Sequence, residues 1–106
     1  MSSSRLDTLR AIVAKSPSNA PARYGLANEL VKAGEFEEAV TALKEYLAMH
    51  DDEGSAYRLL AQSYVKLGRP AEAREAYLAG SESALKHGHP GMAEEFKAAV
   101  EDLDDE

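Results

Sequence analysis

Residues 20–53 and 54–87 align with each other at an offset of 34, and nine residues are identical across it. The pairs are Ala22/Ala56, Leu26/Leu60, Ala27/Ala61, Val31/Val65, Lys32/Lys66, Gly34/Gly68, Glu38/Glu72, Ala39/Ala73 and Ala42/Ala76. Nearly all are small, apolar or glycine, the types that a packed interior selects. A fixed period of this length marks an architecture of stacked units, each hiding its apolar face against its neighbours. The chain is therefore read first as a scaffold.

Within each copy the apolar residues recur at helical spacing. Leu26, Ala27, Leu30 and Val31 form one stripe, which predicts a helix over 20–33 ending at Gly34. Phe36, Ala39, Val40, Leu43, Tyr46 and Leu47 form the next, predicting an antiparallel helix over 36–49. The second copy repeats this hairpin. Tyr57, Leu60, Ala61, Tyr64 and Val65 lead to Gly68, and Pro70 enters a helix carrying Ala73, Ala76, Tyr77, Gly80, Ala84 and Leu85. Before the first copy, Ser4 and Asp7 have the form of a capping box ahead of Leu6, Leu9, Ile12 and Val13, which predicts a helix over 5–15. Pro17 ends it, and Asn19 is placed to cap the next helix. After the second copy, His87-Gly88-His89-Pro90-Gly91 breaks the chain. Met92, Phe96, Ala99, Val100 and Leu103 then predict a sixth helix over 91–104. Strict continuation of the period would bury Glu94 and Glu95, so a register slip of about one residue is expected there, making this helix a cap.

These residues resemble the tetratricopeptide repeat family, specifically a small bacterial-type member with two full repeats and flanking helices. The slots read Leu26-Ala27, Leu30, Gly34, Ala39 and Leu43 in one copy, and Leu60-Ala61, Tyr64, Gly68, Ala73 and Tyr77 in the other. The resemblance implies an all-α fold, a right-handed α-solenoid of antiparallel helical hairpins with six helices. It makes 1–106 a single domain, with 5–15 as a half-repeat. Several slots depart from the pattern. The position that usually holds Trp has Arg23 and Tyr57, a small-residue slot holds Tyr46, and the repeat-end prolines are Asp51 and Leu85. Arg23 is expected at an exposed corner, and Tyr46 to widen the local helix spacing.

The same resemblance implies a protein-binding adaptor in which the first helix of each hairpin lines a concave groove. The non-core residues there are Tyr24, Asn28, Val31 and Lys32 in one copy, and Arg58, Gln62, Val65 and Lys66 in the other. Asn28 and Gln62 suit an extended peptide backbone, Tyr24 offers a flat amphipathic contact, and Lys32, Arg58 and Lys66 favour an acidic segment. The lysines also complement helix C-termini, which needs no ligand. Tyr24 stands where a carboxylate-clamping Lys would be, so that clamp is not expected. The alternative is a self-associating module that docks through its terminal helices, as a monomer or weak homodimer, since so few repeats are near the minimum for stability.

Composition narrows the remaining classes. A formal charge of -7 opposes binding to nucleic acid or an anionic membrane surface, because phosphate recognition needs clustered cations. The acidic runs 51–53 and 101–106 are read as solvated. No cysteine is present, so disulfides, thiolate sites and a Cys nucleophile are excluded. Residues 1–7 lack the apolar core of a secretory signal, and no stretch approaches the ~20 apolar residues of a membrane span, so a cytoplasmic protein is expected. His87 and His89 supply two imidazoles without a third ligand at fixed spacing, and His50 is read as a helix-end residue. Adjacent pairs such as Glu37-Glu38 and Glu94-Glu95 point about 100° apart on a helix and cannot share a substrate. No catalytic residue, metal or cofactor is expected.

Overall fold

The structure, a computed structural model, describes residues 4–105. The segment 1–3 and Glu106, the last residue of the acidic tail, lie outside the described residues. Six helices occur among them: α1 Arg5–Lys15, α2 Ala20–Lys32, α3 Phe36–Met49, α4 Ser55–Lys66, α5 Pro70–Lys86 and α6 Pro90–Asp104. The fold is all-α, built of antiparallel hairpins. The chain divides between Asp51 and Asp52 into two compact units of three helices each.

In the first unit, α2 packs on both α1 and α3. Its boundaries follow local chemistry. The Ser4 hydroxyl accepts from Asp7 N–H at 3.2 Å to start α1, and the Asn19 side-chain Oδ1 accepts from Ala22 N–H at 3.1 Å to start α2. Leu26, Ala27 and Leu30 of α2 meet Ala39, Val40 and Leu43 of α3 in the buried layer. Helix α1 packs chiefly on α2 and reaches α3 through the Arg10–Glu38 ion pair at 2.7 Å, so it buries Leu9 while leaving Ile12 40% exposed, where the periodicity had placed all its apolar residues inward. Arg23 also differs from expectation. Its side chain is only 15% exposed because the guanidinium donates to the Pro17 carbonyl and to Glu45 at 3.1 Å, tying the α1–α2 turn to α3. Tyr46 is buried, with its ring 5.4 Å from that of Tyr24.

The second unit holds a feature that the 34-residue period conceals. Gly34, Gly68 and Gly88 have φ of 78°, 73° and 80°, the left-handed region that favours glycine. Each donates to the carbonyl three residues back (Val31, Val65, Leu85), and the following residue donates to Leu30, Tyr64 or Ala84. This is one C-terminal capping motif used three times. The α5–α6 join is thus the same turn as α2–α3 and α4–α5, not an irregular break. It falls only 20 residues after the second turn.

The buried positions obey this turn. Ala39, Ala42 and Tyr46 stand at the same distances after Gly34 as Ala73, Ala76 and Gly80 after Gly68, and as Ala93, Phe96 and Val100 after Gly88; all nine are buried. Helix α6 therefore follows the second-helix pattern, and Glu94 and Glu95 are exposed without the one-residue slip that strict periodicity demanded. Counting back from Gly88, Ala76, Gly80, Ser81 and Ala84 occupy the positions of Ala22, Leu26, Ala27 and Leu30. Helix α5 is second helix to α4 and first helix to α6.

Packing on two sides explains its composition. Every buried residue of α5 is Ala, Gly or Ser. A Cβ on Gly80 would lie 2.7 Å from Tyr57 Cβ and 2.8 Å from Phe96 Cε2, so glycine admits both neighbours. Phe96 fills the space, 1% exposed, and its burial contributes roughly 1.5–3 kcal/mol. Leu85, which the apolar stripe placed inward, is 52% exposed because the two seams are already occupied by small residues.

Gly34→Val, Gly68→Val and Gly88→Val are expected to lower stability by similar amounts, about 1–2 kcal/mol each, through strain at positive φ. Gly91→Ala, in the first turn of α6 with open space around it, is expected to be neutral or slightly stabilising. Urea unfolding of the four variants checks this, and a Gly88→Val variant as stable as wild type would separate the third turn from the other two.

Candidate functional site

The expected binding residues lie on α2 in the first unit and α4 in the second, and each face is set by how its helix is anchored. On α2, Tyr24 and Asn28 are half-buried and Lys32 is exposed. The Tyr24 ring is backed by Tyr46, which in turn lies 5.0 Å from the His50 ring, giving an aromatic row across α2 and α3. Lys32 Nζ is 3.5 Å from Glu29 Oε2, and Arg5 Nε approaches the same oxygen at 3.2 Å. Two cations thus share one carboxylate and leave local positive charge. They border a shallow cleft of about 270 Å³ with Ser4, Leu6 and Ala33.

Helix α4 begins at an anchor that was read from sequence as solvated charge. Asp52 is 4% exposed, and one of its oxygens accepts from Gly54 N–H at 2.8 Å and Ala56 N–H at 2.9 Å. Its backbone carbonyl accepts from the Ser83 hydroxyl of α5. The carboxylate caps α4 and the carbonyl ties that cap to α5. Burial pushes the Asp52 carboxyl above its ordinary pKa, and the two N–H donors oppose this. Glu53 beside it goes the other way, held down chiefly by the Ser55 hydroxyl at 2.6 Å.

From this start, α4 projects Arg58, Gln62 and Lys66 along one side. Arg58 is half-buried and paired within the fold. Its Nη2 is 2.8 Å from Glu95 Oε2 and its guanidinium lies over the Phe96 ring, 5.2 Å from the centroid. That pairing fastens α4 to α6. Gln62 and Lys66 are exposed on the next two turns, while Ala56, Leu60, Ala61, Ser63 and Tyr64 are buried. Val65, 43% exposed, edges a cleft of about 200 Å³ lined also by Tyr77, Ala99, Asp102 and Leu103. Burial raises the Tyr77 hydroxyl pKa above its ordinary value.

The turn at 86–90 gathers no metal set: no group of three or more His, Cys, Asp or Glu that could hold an ion occurs among the described residues. No helix among them is long and apolar enough to cross a membrane.

The tetratricopeptide repeat pattern matches residues 24–84, more than half of the chain. This chain belongs to the tetratricopeptide repeat family. It is similar to a TPR repeat-containing protein of Pseudomonas aeruginosa, 27% identical over 99 residues that cover 93% of this chain and 94% of the relative. Its fold is similar to the solution structure of a Bordetella parapertussis protein, with a TM-score of 0.81 at 21% identity, covering 97% of this chain and 90% of that one. Tetratricopeptide repeats generally mediate protein–protein interactions.

Two features of this tetratricopeptide repeat chain escaped sequence reasoning. The Arg58 partners come from α6, whose register the period misplaces. The Asp52 cap hides in an acidic run, and its only signal is the Asp-x-Gly-x-Ala spacing ahead of an apolar helix.

Asp52→Ala is expected to cost about 1–2 kcal/mol by orphaning two N–H donors, whereas Asp52→Asn keeps an acceptor and retains most of the stability. Because the folded pKa of Asp52 is raised, the fold binds this proton more tightly than the unfolded chain. Its ionisation therefore removes stability as pH rises through the raised pKa. Wild type minus Asp52→Asn, compared by urea unfolding across the acidic range, is expected to show that slope.

Proposed function

We propose that this chain is an adaptor for a peptide or partner surface, with the exposed face of α2 in the first unit and that of α4 in the second each a candidate contact surface. The observation that supports it most is α4 itself. Its core side is fully engaged, its ion pair to α6 is made by Arg58, and Gln62 and Lys66 remain as exposed polar groups one turn apart. On α2, Asn28 and Lys32 stand in the equivalent positions relative to the turn glycine. An amide that both donates and accepts suits an extended backbone, and a lysine beyond it suits a carboxylate. Lys32 and Lys66 are local positive points on a chain of formal charge -7, which favours an acidic segment as the partner. Arg58 acts in this reading as a structural brace.

A second reading, self-association, is favoured by α1. Ile12 is exposed on that helix, in a shallow depression of about 470 Å³ with Asp7, Thr8, Ala11 and Lys15. Sedimentation over a range of concentrations tests it, and a strict monomer removes it.

For the adaptor, partners captured from the native cell extract are expected to be lost, or weakened by about tenfold, in a Gln62→Ala, Lys66→Glu variant that keeps the wild-type melting temperature. Capture that survives this variant and Lys32→Glu unchanged would rule out the assigned faces.

A further inference from the structure

The third glycine turn places a third set of residues where α2 and α4 carry the residues read as their binding faces. Ten, six, three and two residues before each turn glycine stand Tyr24, Asn28, Val31 and Lys32 on α2, and Arg58, Gln62, Val65 and Lys66 on α4. On α5 the same positions hold Leu78, Glu82, Leu85 and Lys86, and all four are exposed. We propose that this face of α5 is a separate docking surface for an amphipathic helix whose apolar stripe is edged by Lys or Arg.

The shape of the face comes from spacing. Ala71, Glu75, Leu78, Glu82 and Leu85 follow each other at alternating steps of four and three, which sets them in one line down the helix. All five are exposed, and the two leucines are 37% and 52% accessible. They cannot turn inward, because α4 and α6 already occupy the two small-residue seams of α5. A helix fits such a line better than an extended strand, since its own side chains recur at the same steps of three and four.

Charge selects the occupant. Two carboxylates, Glu75 and Glu82, alternate with the apolar residues. Of the cations on α5, Arg74 is turned to Asp104 at 3.2 Å and Lys86 lies in the last turn, beyond Leu85. A partner helix with basic residues between its leucines would pair with both carboxylates while burying Leu78 and Leu85. A second copy of this chain is the poorer occupant, because a two-fold contact along this line brings Glu82 toward its own counterpart. This surface is chemically opposite to the α4 face, which offers Gln62 and Lys66.

The test titrates the isotope-labelled full chain with a short synthetic helix of leucine and lysine at heptad spacing, and with its leucine–glutamate counterpart. Amide shifts are expected to concentrate on α5 between Leu78 and Leu85 with the lysine peptide, and to be absent with the glutamate one. Glu82→Lys is expected to weaken binding by about tenfold, whereas Glu101→Lys, the same charge change on the exposed side of α6, leaves it within about twofold. Equal weakening by both variants would reveal general attraction to an acidic chain and overturn the proposal. So would shifts confined to α2 or α4, or a concentration-dependent dimer that Leu78→Ser abolishes. Gln62→Ala, Lys66→Glu leaves these shifts in place, which separates this surface from the one on α4.

Discussion

Helix α5 can be packed by both α4 and α6 only because its side chains facing them are small, and the second unit is organised around that fact. Ala73, Ala76, Gly80, Ser81, Ser83 and Ala84 are all buried. Small residues let neighbouring backbones approach closely, so the space is filled by bulk from the other helices, chiefly Phe96 of α6 and Tyr57 of α4. The rest follows outward from this seam. Phe96 in place gives Arg58 a ring to lie over and puts Glu95 within 2.8 Å of it, and Ser83 reaches the Asp52 carbonyl that holds the start of α4. With both seams taken, Leu78 and Leu85 have nowhere to go but the surface.

Most of the helices were legible from apolar periodicity and punctuation. Ser4, Asn19, Pro70 and the turn glycines mark ends that the structure places within a residue of expectation, because capping chemistry is local and depends on few neighbours. What failed was an assumption about period. Identity at an offset of 34 suggested that the next unit would start a full period on, whereas Lys86-x-Gly88-x-Pro90 repeats Lys66-x-Gly68-x-Pro70 after only 20 residues. The turn signal was present, but the eye that counts whole repeats reads it as a break. Asp52 and Arg23 were misjudged for a different reason. Charge on a sequence carries no information about burial when the partners are backbone groups that only the folded chain assembles.

The candidate site was less legible than the fold, and the same residues show why. Position alone selected Tyr24, Asn28, Lys32, Arg58, Gln62 and Lys66, since exposed places on a first helix follow from the turn. Whether such a residue is spent on the fold depends on helices distant in sequence. Arg58 contacts Glu95 and Phe96, while Gln62 and Lys66 are exposed. The repeated residues make the hairpins, and those that differ between copies give each helix face its own chemistry: aromatic and polar on α2, polar and basic on α4, apolar and acidic on α5.

The close crossing at Gly80 is the claim on which this account stands, and one substitution reports on it. In a helix interior free of neighbours, Gly→Ala stabilises by roughly 1 kcal/mol, because alanine restricts the unfolded chain and favours the helix. At Gly80 the added methyl meets Tyr57 and Phe96 below 3 Å, so Gly80→Ala is predicted to lower the melting temperature. A melting temperature equal to or above that of the wild type would contradict the two-sided packing of α5.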